Sequence, residues 1–180
     1  LYDVLLNEAP AVEVIRRTRV AHLDILPSTP VLAGAEIELV DLPQRETYLR
    51  AALRTVAEAY DFIFIDCPPS LGLLTVNALT AAHGVIIPLE CEFFSLRGVA
   101  LLIDTVEKVR ERLNPQLKLD GILATMYDGR TLHGREVFAR VVEAFGDDVV
   151  DHYLNNARVE LAAFEAAVTD WERVRGFERL

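Results

Sequence analysis

The sequence predicts an α/β fold, a mostly parallel sheet flanked by helices on both faces. Short apolar runs, of which Phe62–Ile65 (FIFI) and Val85–Leu89 (VIIPL) are the clearest, are continuous rather than alternating. Continuous runs are typical of strands covered on both faces. Longer segments with helical periodicity lie between these runs. Strands that alternate with helices in this way form parallel sheets.

Local signals support the individual elements. Leu49, Leu53 and Val56 recur at the spacing of one helix face. Ser95 is suited to cap a later helix, and the Asn-Pro pair at Pro115 stops it. The predicted strands are His22–Leu26, Phe62–Ile65, Val85–Leu89, Gly121–Met126 and Val149–Leu154. The predicted helices are Leu32–Leu42, Glu46–Tyr60, Leu71–Ala82, Ser95–Leu113 and Glu136–Phe145.

Composition indicates an ordinary globular domain. Of the 180 residues, 52% are hydrophobic and 26% are charged. No apolar run approaches the ~20 residues that span a bilayer. Cys67 and Cys91 adjoin apolar runs, and we expect reduced, buried thiols rather than a disulfide or a metal pair. The formal net charge of −10 argues against a surface that binds nucleic acid throughout, although a local basic patch is compatible with it.

Asp66 follows the apolar run Phe62–Ile65 directly, in the sequence YDFIFIDCPPS. Ligands of parallel sheets gather beyond the carboxyl ends of the strands. A carboxylate there can hold Mg²⁺, usually through water, beside a bound phosphate. The same pattern fits an acid that only caps the following turn or helix. Pro68 and Pro69 favour the magnesium interpretation, because two prolines stiffen a loop that senses a ligand.

The most basic stretch follows the predicted strand Gly121–Met126. Asp128-Gly129 is a turn signal, which places Arg130 on a loop. Three further basic residues follow, namely His133, Arg135 and Arg140. A few guanidinium groups on one face suffice for DNA phosphate contacts, and a dimer doubles them. The alternative is a solvated helix start in which neighbouring acids neutralise these charges.

Three long blocks of the sequence resemble the ParA/Soj family of partition ATPases. They are YDFIFIDCPPSLGLLTVNALTAA, VIIPLECEFFSLRGVALL and LNPQLKLDGILATMYDGRT, in the order of the family. The similarity runs from about Leu1 to about Leu154. It implies a P-loop NTPase-like fold with the deviant Walker motif, in proteins that segregate chromosomes and plasmids.

The resemblance implies roles for eight residues. They are the Walker B metal ligand Asp66, the switch residues Pro68, Pro69 and Ser70, the adenine neighbours Thr125 and Met126, and the DNA contacts Arg130 and Arg158. Arg158 matches the family's Pro-Arg-Asn-Val-Arg segment one position out of register, and Asn156 replaces its first arginine. Phe93 and Phe94 fall near the family's dimer face, or they are ordinary core aromatics beneath a turn.

The phosphate-binding loop of this family has no counterpart in the sequence. A P-loop needs glycine-rich backbone and a lysine. Neither of the two lysines, Lys108 and Lys118, lies in a glycine-rich turn, and no GxxxxGK[ST] motif occurs. The family's KGG and GKT residues belong upstream of Leu1, so we expect residues 1–180 to be a single, partial domain without the first strand and the P-loop. We assign no catalytic residue and expect no ATP binding by this chain alone.

Residues 155–180 form a divergent tail. Leu161, Phe164, Val168 and Trp171 recur at helical spacing. A helix there could lie on a membrane surface, as in the related MinD-type division ATPases. Acids outnumber arginines in the tail, which favours a helix that covers the sheet instead.

The resemblance also implies cofactors and partners for the intact protein. These are ATP and Mg²⁺, a homodimer formed with ATP, non-specific DNA and a ParB-type partner that stimulates hydrolysis. We expect a cytoplasmic, nucleoid-associated protein without stable membrane association. The alternatives are a non-enzymatic remnant that keeps dimer or partner surfaces, and a MinD-like cell-division ATPase.

Overall fold

The computed structural model describes residues 1–6, 8–90, 95–125 and 132–146. Its α-helices are α1 Tyr2–Leu5, α2 Ala11–Val14, α3 Leu32–Leu39, α4 Tyr48–Leu53, α5 Leu73–Ala81, α6 Ser95–Arg112 and α7 Leu132–Phe145. Its strands are β1 Arg16–Arg17, β2 Asp24–Ile25, β3 Gly84–Glu90 and β4 Lys118–Thr125, and Ala57–Ala59 form a 3₁₀ turn. Within these described ranges, no helix has the length and apolar character needed to cross a membrane.

One compact unit consists of Leu1–Val85 and Leu101–Leu119. Helix α4 packs on α5, and α1 packs on both α3 and α4. The apolar side chains buried between these helices are Leu5, Ala35, Leu39, Leu49 and Ala78. A second cluster joins α5 to α6 and the start of β4, and its buried members are Leu79, Val106, Val109 and Leu117. Helix α5 therefore contributes to both clusters.

The sequence of α5 explains its central place. Leu73–Ala81 reads LLTVNALTA and contains no charged residue. A helix that is apolar on all sides is stable only when it is surrounded by protein. Its residues Thr75, Asn77, Ala78, Leu79 and Thr80 are accordingly buried. Gly72 precedes the helix, and extended backbone at Ala82 ends it.

The second unit consists of Ile86–Ala100 and residues from Asp120 onward. Strands β3 and β4 pair with each other. They begin side by side, because the Lys118 N–H donates to the His83 carbonyl oxygen at 3.0 Å, as parallel strands do. In β3, Ile87 and Leu89 are buried while Ile86 is 42% exposed. The expectation that Val85–Leu89 is covered on both faces is therefore wrong for the described residues, where one face is covered.

The α/β class and most of the predicted elements are confirmed. Helices α3, α5, α6 and α7 and strands β3 and β4 lie where the sequence predicts them, within a few residues. The predicted helix Glu46–Tyr60 is divided into α4 and the 3₁₀ turn. The strand predicted at His22–Leu26 is reduced to β2, which pairs antiparallel with β1. The strand predicted at Val149–Leu154 lies outside the described residues.

The strand predicted at Phe62–Ile65 is wrong for this chain. Residues 62–65 form no strand in the structure. Phe62 is 79% exposed and Phe64 75% exposed, and their rings stack with centroids 6.4 Å apart. A strand exists only where a neighbouring strand satisfies its N–H and C=O groups. No strand of the described residues pairs with this segment, so its apolar sequence alone does not produce a strand.

Candidate functional site

The candidate site lies in the segment between Phe62–Ile65 and α5. We call residues 66–71 the Asp66 loop, since Asp66 is its first residue. Asp66 is exposed and takes part in no ion pair among the residues that the structure describes. Pro68 and Pro69 are also exposed, and the backbone bends at Pro69 and Ser70. The carboxylate is thus free to meet a ligand from solvent.

The C-terminal part of the Asp66 loop is tied to α5. The Thr75 hydroxyl, which is buried, donates to the Ser70 carbonyl oxygen at 2.6 Å. Glu36 of α3 reaches the first turn of α5, where its Oε1 accepts the Leu74 N–H at 3.2 Å. The first contact ties the end of the loop to α5, and the second ties the start of α5 to α3. The loop therefore has one anchored end.

Helix α5 is itself fixed by a buried amide. Asn77 is completely buried, and its Oδ1 accepts the Leu49 N–H of α4 at 3.1 Å. Its Nδ2 donates to the Arg45 carbonyl at 2.8 Å and to the Leu73 carbonyl at 3.1 Å. A buried amide with these partners leaves little freedom for the two helices to slide. The Asp66 loop is thus mounted on a rigid element.

Cys67 adjoins Asp66 and is a free cysteine with an exposed side chain. The expectation that the Cys67 thiol is buried is therefore wrong, and whether it stays reduced remains a prediction. Crowding by surrounding atoms raises the pKa of the Cys67 thiol, and the nearby Asp66 charge raises it further. A raised pKa disfavours the reactive thiolate.

The residues present fit a magnesium ion in part and a nucleotide less well. Mg²⁺ keeps several waters and is commonly bound through one or two carboxylates together with substrate phosphates. The exposed Asp66 carboxylate can supply one such ligand. No group of three or more His, Cys, Asp or Glu side chains lies close enough to hold a metal in the described ranges. The sequence supplies no glycine-rich lysine loop that would bind phosphates.

Most of the other predicted site residues lie outside the residues that the structure describes. Thr125 is the last residue of β4 and is half-buried. Met126, Arg130 and Arg158 lie outside the described residues, as do Phe93 and Phe94. The structure therefore brings together Asp66, Pro68, Pro69 and Ser70, which are contiguous in sequence, and leaves the adenine and DNA assignments as predictions.

Sequence reasoning missed Glu36, Thr75 and Asn77. Glu36 lies in LAGAEIEL, where it reads as an ordinary polar position of a helix. Its partner is distant in sequence, so no local pattern reveals the contact. Asn77 did leave a signal, since it is an amide in the middle of an apolar helix. Such a residue is buried with satisfied hydrogen bonds or is not tolerated.

Comparisons with known proteins identify relatives of this chain. The family model of the AAA domain matches residues 1–119. Soj of Bacillus subtilis, a sporulation initiation inhibitor protein, is 48% identical over 149 residues, which are 83% of this chain and 59% of Soj. The chromosome partitioning protein ParA of Caulobacter vibrioides is 46% identical over 165 residues, which are 90% of this chain and 62% of ParA.

A solved structure extends the comparison to three dimensions. It is a cobyrinic acid a,c-diamide synthase from Mycobacterium smegmatis with a bound ATP analogue and magnesium. It is 43% identical to this chain, with a TM-score of 0.76 over 80% of this chain and 59% of that one. The chain thus spans about three-fifths of the length of each of these relatives.

The fold and the matched model define the class of protein first, an AAA-domain protein with the α/β P-loop fold. Within that class, the chain belongs to the ParA/Soj family of partition ATPases.

Proposed function

We propose that this chain supplies the magnesium ligand and the switch loop of a ParA/Soj-type partition ATPase that acts in chromosome or plasmid segregation. The observation that supports this most is the Asp66 loop. Its exposed carboxylate has no ion-pair partner among the described residues, and its C-terminal end is anchored to a rigid helix. A carboxylate used only as a helix cap would instead accept an N–H of α5, and Glu36 occupies that role.

In this proposal Asp66 holds Mg²⁺, directly or through water, and Pro68, Pro69 and Ser70 respond to the nucleotide. When bound, the ion neutralises the charge of the phosphates. Thr125 and Met126 lie near the adenine. The two prolines limit how the loop can move, so that a change at one end is passed to the other rather than absorbed.

Partners and location form a further part of the proposal. Arg130 and Arg158 contact DNA without sequence preference, and a homodimer formed with ATP doubles these contacts. A ParB-type protein stimulates hydrolysis in the cytoplasm, at the nucleoid. The ParA relative of Caulobacter vibrioides is named a chromosome partitioning protein, which supports a role in partition. The net charge of −10 restricts DNA contact to a local basic patch.

Nucleotide binding by these 180 residues gives the first test. We expect isothermal titration of the chain with ATP and Mg²⁺ to show no binding, because no described or sequence-predicted loop cradles the phosphates. The matched sample is the same chain with the KGG and GKT segment that the family resemblance implies restored upstream, for which we expect binding. A micromolar Kd for the 180 residues alone would refute the missing-loop argument.

The role of Asp66 is tested in that extended chain. We expect Asp66→Ala to abolish magnesium-dependent ATP hydrolysis, because the ion loses its protein ligand. Asp61→Ala is the matched control, since Asp61 is an exposed acid at the other end of the apolar run, and it should leave turnover near normal. Near-normal turnover by Asp66→Ala would remove Asp66 from the proposed site.

A further inference from the structure

We propose that Glu36 is a positioning residue for the Asp66 loop, an inference that rests on the proposed function for its consequence but not for its geometry. Glu36 lies in α3, far in sequence from the loop. Its Oε1 accepts the Leu74 N–H at 3.2 Å, in the first turn of α5. The contact joins the helix that follows the Asp66 loop to a helix on another part of the chain.

Gly72 shows how closely the carboxylate approaches. A Cβ atom at residue 72 would lie 2.3 Å from Glu36 Oε1 and 3.2 Å from its carboxyl carbon. The backbone of Gly72 has φ −84° and ψ −171°, which is extended and open to any residue. Glycine is therefore not required here by the backbone conformation. An added side chain would instead push the Glu36 carboxylate, the end of a flexible side chain, away from its present place.

Electrostatics favours an acid at this place. The first N–H groups of a helix lack partners within the helix and carry a partial positive charge. Helix α5 has no acid in its first turn, and its N-cap residue Gly72 has no side chain. Glu36 supplies from α3 the acceptor and the negative charge that α5 does not provide for itself. The first turn of α5 is thus held by a residue of another helix.

The position of the first turn of α5 affects Asp66 because the segment between them is short and stiff. The Ser70 carbonyl oxygen accepts a hydrogen bond from the Thr75 hydroxyl of α5 at 2.6 Å. Pro68 and Pro69 lie between Ser70 and the pair Asp66 and Cys67. Two adjacent prolines remove two backbone torsions from the loop. A shift of the first turn of α5 therefore moves the Asp66 carboxylate instead of being absorbed between them. Glu36 sets where the magnesium ligand stands.

The geometry is tested on the 180-residue chain by amide hydrogen exchange at Leu74, whose N–H donates to Glu36. We expect Glu36→Ala to raise the exchange rate constant of this amide by about tenfold, the change that loss of one charge-assisted hydrogen bond produces. Glu36→Gln, which keeps an acceptor oxygen, should restore most of the protection. Glu38→Ala is the matched control, because Glu38 lies on the same helix and accepts from the Tyr2 hydroxyl instead.

Gly72→Ala approaches the same contact from the other side. The added methyl displaces the carboxylate, so we expect it to raise the Leu74 exchange rate as Glu36→Ala does. Combining the two changes should add nothing further, because they remove one interaction. An additive increase, or a wild-type rate in both single variants, would overturn the inference.

The functional consequence is measured in the chain with the upstream KGG and GKT segment restored. We expect Glu36→Ala to raise the half-saturating Mg²⁺ concentration for ATP hydrolysis several-fold while the half-saturating ATP concentration stays unchanged. A helix cap without a positioning role would move neither. An unchanged Mg²⁺ dependence alongside an inactive Asp66→Ala overturns the inference alone, whereas an active Asp66→Ala overturns the proposed function.

Discussion

Replacement of Asn77 by alanine should loosen the element on which the Asp66 loop is mounted. Asn77 is completely buried and makes three hydrogen bonds to main-chain groups of Leu49, Arg45 and Leu73. The Leu49 N–H lies in the first turn of α4, where no intrahelical acceptor exists. Alanine leaves that buried N–H without a partner and cannot donate to the Arg45 carbonyl.

The size of the effect follows from these contacts. A buried donor left unsatisfied costs about 1–3 kcal/mol, and each further hydrogen bond contributes about 1 kcal/mol net. We expect Asn77→Ala to lower the free energy of unfolding by about 3 kcal/mol, which exceeds a hundredfold in the folded-to-unfolded ratio. With a urea slope of about 2 kcal/mol/M, the unfolding midpoint falls by about 1.5 M.

Urea unfolding followed by circular dichroism measures this shift, and amide hydrogen exchange at Leu49 reports the unsatisfied N–H directly. Thr105→Ala is the matched control, because the exposed Thr105 hydroxyl donates to the Leu101 carbonyl at 2.9 Å on the surface of α6. It should change stability by less than about 0.5 kcal/mol. A midpoint for Asn77→Ala within error of this control would refute the reasoning.

Two further predictions concern a tyrosine and a helix end. The hydrogen bond of Tyr2 to Glu38 raises the pKa of Tyr2 from 10.0 to about 12, so its stabilising contribution is present below pH 10 and is lost as the pH rises towards 12. Ultraviolet titration should show a late tyrosinate component that Tyr2→Phe removes; an unchanged late component would contradict this assignment. Asn114 Nδ2 donates to the carbonyls of Leu79 and Ala82 at the end of α5, at 3.1 and 2.7 Å, and Asn114→Ala should destabilise by about 1–2 kcal/mol in urea unfolding. An unchanged urea midpoint would show that water satisfies these two carbonyls as well as the Asn114 amide does.

Helices and paired strands were predictable because their signals are local. Helix α6 was expected at Ser95–Leu113 and is observed at Ser95–Arg112, since a cap and an Asn-Pro stop mark its ends. Helix α5 and strand β3 likewise lie within two residues of their predicted bounds. Each of these elements satisfies its backbone within itself or with a strand that this chain contains.

At Phe62–Ile65 the local sequence predicts a strand that the structure does not contain. This apolar run has the composition of a central strand, yet Phe62 and Phe64 are largely exposed. An apolar composition makes a segment suitable as a buried strand, but a strand forms only where a neighbouring strand can take its backbone hydrogen bonds. Asp66 therefore loses the strand at whose carboxyl end it was predicted to lie, and the exposed carboxylate keeps its magnesium role as a hypothesis.

The amino-acid order by itself determined the α/β class and the family, because periodicity and motif order are properties of neighbouring residues, and it named Asp66 as the candidate magnesium ligand. Tertiary structure alone decided what holds that residue in place. The Glu36 carboxylate meets Gly72 and Leu74 only because α3 and α5 pack together, and hydrogen bonds between groups so distant in sequence leave no periodic trace.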